Sequence, residues 1–183
     1  MRTLVVGGAA SGKSEFAEGL CLRAAAPRVY LATMEPIGDA SAQRIERHRA
    51  LREGKGFATV ERARDVGALA GALPGGCSLL VEDVGNLVAN ELFSGKGAPA
   101  AESPEALGRL AEMVSRDLEA LSAAAAHTVF VSVDVFSDGV GYDSQTAAYL
   151  RVLAQVNARL AQACERAVEV VCGIPVWMKG EGA

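Results

Sequence analysis

The sequence predicts an α/β fold, in which a mostly parallel β-sheet is covered by helices on both faces. Two observations predict this fold. Short apolar runs alternate with helical patterns along the 183 residues, and continuous apolar strands are typical of parallel sheets buried on both faces. The first apolar run leads directly into a G-x-x-x-x-G-K-S sequence and then a helical pattern, which is the context of a phosphate-binding loop (P-loop). The chain is long enough for three layers, and we expect a single domain over residues 1–183.

Seven segments are predicted to be strands because they are short and rich in apolar or β-branched residues. The last of them is expected at an edge of the sheet. The predicted strands are Arg2–Val6, Arg28–Thr33, Gly56–Val60, Ser78–Val81, Thr128–Val133, Val168–Cys172 and Pro175–Met178.

Six segments are predicted to be helices. Pro27 stops the first of them, and Ser103 and Pro104 supply an N-cap and a first helical residue for the fifth. The predicted helices are Ser14–Ala25, Asp39–Arg52, Arg64–Leu73, Asn86–Phe93, Ser103–Ala126 and Ser144–Arg166.

The loop after the first strand has the residues needed to bind a nucleoside triphosphate. Glycine lets backbone N–H groups turn inward around a phosphate, and the following helix directs its positive end at the same anion. Lys13 can reach the β- and γ-phosphates, and the Ser14 hydroxyl can coordinate Mg²⁺. The predicted phosphate-binding residues are Gly7, Gly8, Ala9, Ala10, Ser11, Gly12, Lys13 and Ser14.

Glu82 is the predicted carboxylate partner of Mg²⁺. It ends the apolar run Leu-Leu-Val-Glu, where P-loop proteins commonly place an acidic residue that holds the ion. Asp83 follows it, but adjacent strand residues point to opposite faces. We therefore expect Glu82 rather than Asp83 to face the nucleotide, the alternative being a solvated acid at a strand end.

His48 is the candidate nucleophile, and it lies among the arginines Arg44, Arg47, Arg49 and Arg52. Nearby cations disfavour imidazolium, so a neutral and nucleophilic imidazole is expected. The arginines could hold a phosphate beside it. The residues alone leave open a second interpretation, a solvated helix face with ion pairs.

Composition narrows the class of protein and of partner. The net charge of −4 disfavours a general nucleic-acid binder. No apolar run approaches the ~20 residues that span a bilayer, and the N-terminus lacks the pattern of a signal peptide. We expect a cytoplasmic protein whose cysteines are buried thiols. These cysteines are Cys21, Cys77, Cys164 and Cys172.

Nearly the whole chain resembles the bifunctional adenosylcobinamide kinase/adenosylcobinamide-phosphate guanylyltransferase family. The ordered set that carries the resemblance is VVGGAASGKSEFAE, VYLATMEP, RIERHR, LLVEDVGNLVANELF, VFSDGVGYDSQTAAYLRVLAQVN and VEVVCGIPVWMKG. A P-loop alone is common to many families, whereas RI-x-x-HR shortly after YLAT is specific.

The resemblance implies a RecA-like P-loop domain that assembles as a homo-oligomer, typically a trimer. It implies phosphorylation of adenosylcobinamide by ATP or GTP, and then transfer of GMP from GTP to the product through a GMP–histidine adduct, with Mg²⁺ as the cofactor. By this resemblance His48 carries the adduct, residues 7–14 hold the nucleotide phosphates, and Glu82 is the strand-end carboxylate. Arg44, Arg47 and Arg49 are then expected to stabilise charge on the nucleotide.

The chain departs from the family pattern at some positions. Many members have Thr-Asn-Glu-Val where this chain has Ser132-Val133-Asp134-Val135, and often an arginine in place of Ala10. The transferase half, built on His48, therefore matches the family better than the substrate loop does. Two other function classes remain: a small-molecule kinase with a structural His48, and a switch-like nucleotide-binding protein.

Overall fold

The computed structural model describes residues 1–35, 54–93, 103–135 and 142–180. The strands are β1 (Arg2–Val6), β2 (Arg28–Ala32), β3 (Phe57–Glu61), β4 (Ser78–Glu82), β5 (His127–Val131), β6 (Arg166–Val171) and β7 (Ile174–Lys179). The helices are α1 (Lys13–Arg23), α2 (Val84–Phe93), α3 (Pro104–Ala124) and α4 (Ser144–Ala163), with a 3-10 helix over Val66–Ala72.

The described strands form one sheet in the order β3-β2-β4-β5-β1-β6-β7. The strands from β3 to β6 in this order are parallel, and β7 runs antiparallel to β6 at one edge. Strand β1 is central, with Leu4 placed between Phe130 of β5 and Ala167 of β6. The loops that follow the parallel strands therefore leave the sheet at the same edge.

Helices cover both faces of this sheet. One face carries Val5, Leu80 and Val131, which form a buried cluster with Ala17 and Cys21 of α1. The other face is covered by α2, α3, α4 and the 3-10 helix, which share a larger buried cluster with it. Continuous burial along the central strands explains their apolar sequences, as in β4, where every residue is buried.

The predicted helix over Arg64–Leu73 is present, but it is shorter and more tightly wound than an α-helix. This segment forms a 3-10 helix over Val66–Ala72. It contains Gly67 and Gly71, which lower the stability of an α-helix, and a Cβ at Gly67 would lie 2.7 Å from Asp117 Oδ1 on α3. Close packing against α3 therefore stabilises the tighter turn.

The predicted helix Ser144–Arg166 also ends earlier than expected. Helix α4 stops at Ala163, and Cys164 has an extended backbone. Arg166 is already in β6, opposite Thr3 of β1. The helix ends at Ala163 because the chain must pair with β1 from Arg166 onward. The helical pattern of the sequence continues past this point and does not predict the end of the helix.

The remaining predicted elements within the described ranges are present with small shifts of their ends. Ser103 caps α3 by accepting a hydrogen bond from the Ala106 N–H at 3.3 Å, as predicted. The predicted edge strand is β7. The predicted helix Asp39–Arg52 lies outside the described residues. Within those residues, no helix has both the length and the apolar character needed to cross a membrane.

Candidate active site

A cleft of about 760 Å³ lies at the edge where the parallel strands end. Its walls come from the β1–α1 loop, the end of β4, the start of α2 and the segment after β5. Ligands of open α/β sheets gather at this edge. Of the eight predicted phosphate-binding residues, all but Gly7 and Gly8 line the cleft, and Glu82 lines it as well.

The β1–α1 loop is stabilised by hydrogen bonds to its own backbone carbonyls. Lys13 Nζ donates to the Gly8 carbonyl at 3.0 Å, and the side chain is largely buried. Gly12 has φ +89°, a left-handed conformation that favours glycine. The Asp134 N–H donates to the Gly7 carbonyl at 3.1 Å and ties the start of the loop to the segment after β5. Lys13 thus lies within the loop whose phosphate it is predicted to bind.

The N-terminus of α1 faces the cleft without a side-chain cap. The N-cap residue is Gly12, which has no side chain that could accept a hydrogen bond from the first N–H groups of the helix. The first N–H groups of a helix lack partners within the helix, and its N-terminus carries a partial positive charge. An anion at this point would satisfy both, which is the physical basis of phosphate binding by such loops.

Ser14 and Glu82 are brought together at the floor of the cleft. Ser14 Oγ donates to Glu82 Oε1 at 2.6 Å. The other carboxyl oxygen, Oε2, is buried and has no protein partner. Burial raises the pKa of the Glu82 carboxyl to about 7, while the Ser14 hydrogen bond and the charge of Lys13 lower the same pKa.

This pair fits Mg²⁺. The ion prefers oxygen ligands and is usually bound in such sites by one carboxylate or hydroxyl together with substrate phosphates. The buried, unpartnered Oε2 of Glu82 is an oxygen of the required kind. Bound beside it, the ion would also favour the charged form of the carboxyl that burial disfavours.

Asp83 also lines the cleft, and the expectation that Glu82 rather than Asp83 faces the nucleotide stays a prediction. Strand β4 ends at Glu82, and the alternation of side chains ends with it. Asp83 instead caps α2, where its Oδ1 accepts the Asn86 N–H at 2.6 Å. Its carbonyl accepts the Thr33 hydroxyl at 2.7 Å. Asp83 thus fixes the start of α2 beside Glu82.

Sequence reasoning missed some residues of the cleft wall. Tyr149 lies in a helical stripe of apolar residues on α4, a pattern typical of core packing, but it lines the cleft. Burial, followed by the charge of Asp83, raises its pKa to about 12. Lys55 also lines the cleft and forms an ion pair with Glu18 of α1. The position of Tyr149, in the first turns of a helix that starts at the carboxyl edge, was the available signal.

The chain matches the family described as cobinamide kinase / cobinamide phosphate guanyltransferase over residues 3–178. It belongs to this family. Two relatives are named "bifunctional adenosylcobalamin biosynthesis protein CobU". The one from Escherichia coli strain K12 is 33% identical, and the alignment covers 98% of this chain and all of the relative. The one from Salmonella typhimurium strain LT2 is 34% identical with the same coverage. CobP of Pseudomonas aeruginosa, also named as bifunctional, is 28% identical over 99% of both chains.

Solved structures agree on the fold of this cobinamide kinase/guanyltransferase family member. An ATPase of the type III secretion system of pathogenic bacteria superposes with a TM-score of 0.57 at 14% identity. That match covers 92% of this chain, which spans only half of the ATPase. The flagellar accessory protein FlaH from Methanocaldococcus jannaschii gives a TM-score of 0.50 at 8% identity, covering 97% of this chain and 77% of that one. The predicted RecA-like P-loop NTPase fold is confirmed.

The segment with the predicted nucleophile lies outside the described residues. His48 and the arginines Arg44, Arg47 and Arg49 all fall within residues 36–53, between β2 and β3. Their roles in this family member stay predictions from the sequence. Of the positions that depart from the family pattern, Val133 and Ala10 line the cleft.

Proposed function

We propose that the chain catalyses two successive reactions in adenosylcobalamin biosynthesis. The first is transfer of a phosphoryl group from ATP or GTP to a hydroxyl of adenosylcobinamide. The second is transfer of GMP from GTP to the resulting phosphate. Family membership supports both reactions, and the observation that carries the nucleotide chemistry is the contact between Ser14 and Glu82 beside Lys13 in the cleft.

In the first reaction the loop residues bind and orient the triphosphate. Lys13 and the N–H groups at the start of α1 hold the negative phosphate oxygens, while Ser14 and Glu82 would hold Mg²⁺. The ion supplies charge neutralisation on the phosphate oxygens when it is bound. The burial of Lys13 and Glu82 strengthens their interaction with charge that develops during transfer.

In the second reaction His48 is the proposed nucleophile. One imidazole nitrogen attacks the α-phosphorus of GTP, a P–N bond forms, and the bond from that phosphorus to the bridging oxygen breaks. Pyrophosphate leaves with the bonding electrons. A phosphate oxygen of adenosylcobinamide phosphate then attacks the same phosphorus and releases the imidazole. Arg44, Arg47 and Arg49 stabilise the negative charge, and the intermediate divides one difficult transfer into two easier steps.

The test is to incubate the purified chain with GTP and Mg²⁺ and to measure its intact mass. We expect an acid-labile increase of one GMP unit that peptide mapping assigns to His48 and that His48→Ala abolishes. His127→Ala is the matched control, because His127 is the other histidine of the chain and starts β5 at the opposite edge of the sheet. Binding of GTP without an adduct would favour a P-loop kinase or a nucleotide-binding protein without guanylyl transfer.

A homo-oligomer, with three subunits as the family resemblance implies, is also proposed. The edge strand β7 supports it, because Ile174, Val176 and Met178 alternate along this strand and are 65%, 48% and 58% exposed. A second copy that covered this strip would remove apolar surface from water. Light scattering should give a mass above one chain, and Ile174→Lys should lower it. We place the protein in the cytoplasm, where its free thiols would stay reduced.

A further inference from the structure

The turn between β6 and β7 touches the phosphate-binding loop. Cys172 and Gly173 form this turn, and the Gly173 N–H donates to the Ser11 carbonyl at 2.8 Å. The approach is close, since a Cβ built on Gly12 would lie 3.3 Å from the Gly173 Cα. The loop after the first strand is therefore supported by a hairpin near the other end of the described chain.

The conformation of the turn leaves this N–H free to make the contact. Strand β6 ends at Val171 and pairs it with Ile174, the first residue of β7, so the hairpin has a two-residue loop. Both loop residues have positive φ, +50° at Cys172 and +80° at Gly173, as a type I′ turn requires. The peptide between the two central residues takes no part in the turn's own hydrogen bond. Its N–H therefore points away from the hairpin, toward Ser11.

The contact fixes the orientation of one peptide plane in the loop. A trans peptide directs its C=O and its N–H in opposite directions. When the hairpin holds the Ser11 carbonyl, the N–H of Gly12 in the same peptide is directed away from the hairpin. Inward-facing N–H groups are what such a loop uses to surround a phosphate.

We propose that the tip of the β6–β7 hairpin is a positioning element of the nucleotide site, and that Gly173 is the positioning residue that orients the Ser11–Gly12 peptide. This inference rests on the proposed binding of GTP by the loop. It assigns to the C-terminal hairpin a function in phosphate binding, although the hairpin supplies no side chain to it.

The test compares Gly173→Ala with Gly76→Ala. Both glycines have positive φ, +80° and +71°, and at both the added methyl group meets nothing within 4 Å. The substitutions therefore impose a similar backbone strain without a clash. Gly76 lies in the turn before β4, at the edge opposite the cleft, so it is a matched control for stability alone.

We expect similar falls in melting temperature for the two variants, but a rise in the Kd of GTP with Mg²⁺ of about 5- to 10-fold only in Gly173→Ala, measured by calorimetry. Gly173→Asn should restore most of the affinity, because asparagine tolerates positive φ. Equal affinities in wild type, Gly173→Ala and Gly76→Ala would overturn the inference. Failure of the wild type to bind GTP would overturn the proposed function and the inference with it.

A backbone variant keeps the inference testable if Gly173→Ala does not fold. Cys172 allows the chain to be assembled by ligation of residues 1–171 to a synthetic peptide that starts at this cysteine. An ester in place of the amide between Cys172 and Gly173 removes only the N–H that binds Ser11. The ester chain should bind GTP more weakly than the ligated all-amide chain, and equal affinity would overturn the inference.

Discussion

Ser14 Oγ and Glu82 Oε1 lie 2.6 Å apart although 68 residues separate them in sequence. Strand order brings them together, since β4 and β1 end at the same edge on either side of β5. Neither residue alone would distinguish a metal-dependent nucleotide site from a glycine-rich turn. The two together supply a hydroxyl and a buried carboxyl oxygen at one point of the cleft.

Glu82→Gln should weaken Mg²⁺-dependent binding of GTP. The amide can still accept the Ser14 hydrogen bond, but it has no negative charge to attract the ion. We therefore expect the apparent Mg²⁺ affinity to fall by about 10- to 100-fold. Calorimetric titration of Mg²⁺ into the chain with GTP would measure it. Glu112→Gln is the control, because Glu112 is exposed on α3. An unchanged Mg²⁺ affinity in Glu82→Gln would remove Glu82 from the site.

Thr33→Val should destabilise the fold by about 1 kcal/mol. The hydroxyl of Thr33 is buried and donates to the Asp83 carbonyl, and valine preserves the shape of the side chain while removing this bond. Urea unfolding would give the difference in free energy of unfolding. Thr59→Val, at an exposed position of the edge strand β3, should have a smaller effect, and equal effects would contradict the structural role of the hydroxyl.

Stability at acid pH should depend on Glu165. Hydrogen bonds from the Arg2 guanidinium lower the pKa of its carboxyl from 4.5 to about 2. Because the pKa is lower in the folded state, the pair stabilises the protein fully above about pH 4.5 and loses this contribution as the pH falls toward 2. Both side chains are more than a third exposed, so we expect less than about 1 kcal/mol. The difference in free energy of unfolding between wild type and Glu165→Gln should shrink from pH 5 to pH 3. A constant difference would show that the charge does not contribute.

Native protein should present one rapidly reacting thiol per chain. The sequence predicted four buried cysteines, which was wrong for Cys172, since it is exposed at the hairpin tip. Cys21, Cys77 and Cys164 are buried, and burial raises the pKa of each thiol, to about 12 for Cys21 and about 11 for Cys164. Titration with a thiol-specific disulfide reagent should show one fast reaction, with three more after unfolding. Cys172→Ser should abolish the fast reaction alone.

Local patterns were sufficient to predict the parts of the protein that depend on neighbours in sequence. The loop from Gly7 to Ser14 could be predicted because its chemistry is contained in eight consecutive residues. The place of Glu82 in the cleft could be predicted because this residue ends an apolar strand. The place of Tyr149 in the cleft could not, because a tyrosine in an apolar helical stripe has the same pattern whether it packs in the core or borders a cavity.

Contacts between distant segments were not predictable from one sequence. No sequence pattern around Gly173 or Ser11 predicts the hydrogen bond between them. This bond forms because β6 lies beside β1 in the sheet. The end of α4 at Ala163 was missed for the same reason, since pairing with β1 begins at Arg166. These features depend on the order of strands in the sheet.

The central place of β1 has a consequence for how the chain is made. Strand β1 leaves the ribosome more than a hundred residues ahead of its partners β5 and β6. Contacts so distant in sequence form slowly. Until its partner strands are available, an unpaired apolar strand is prone to aggregate with other chains. The nascent chain must therefore keep this strand from other polypeptides until β6 has left the ribosome, and the nucleotide site is completed only after β5 and β6 have been synthesised.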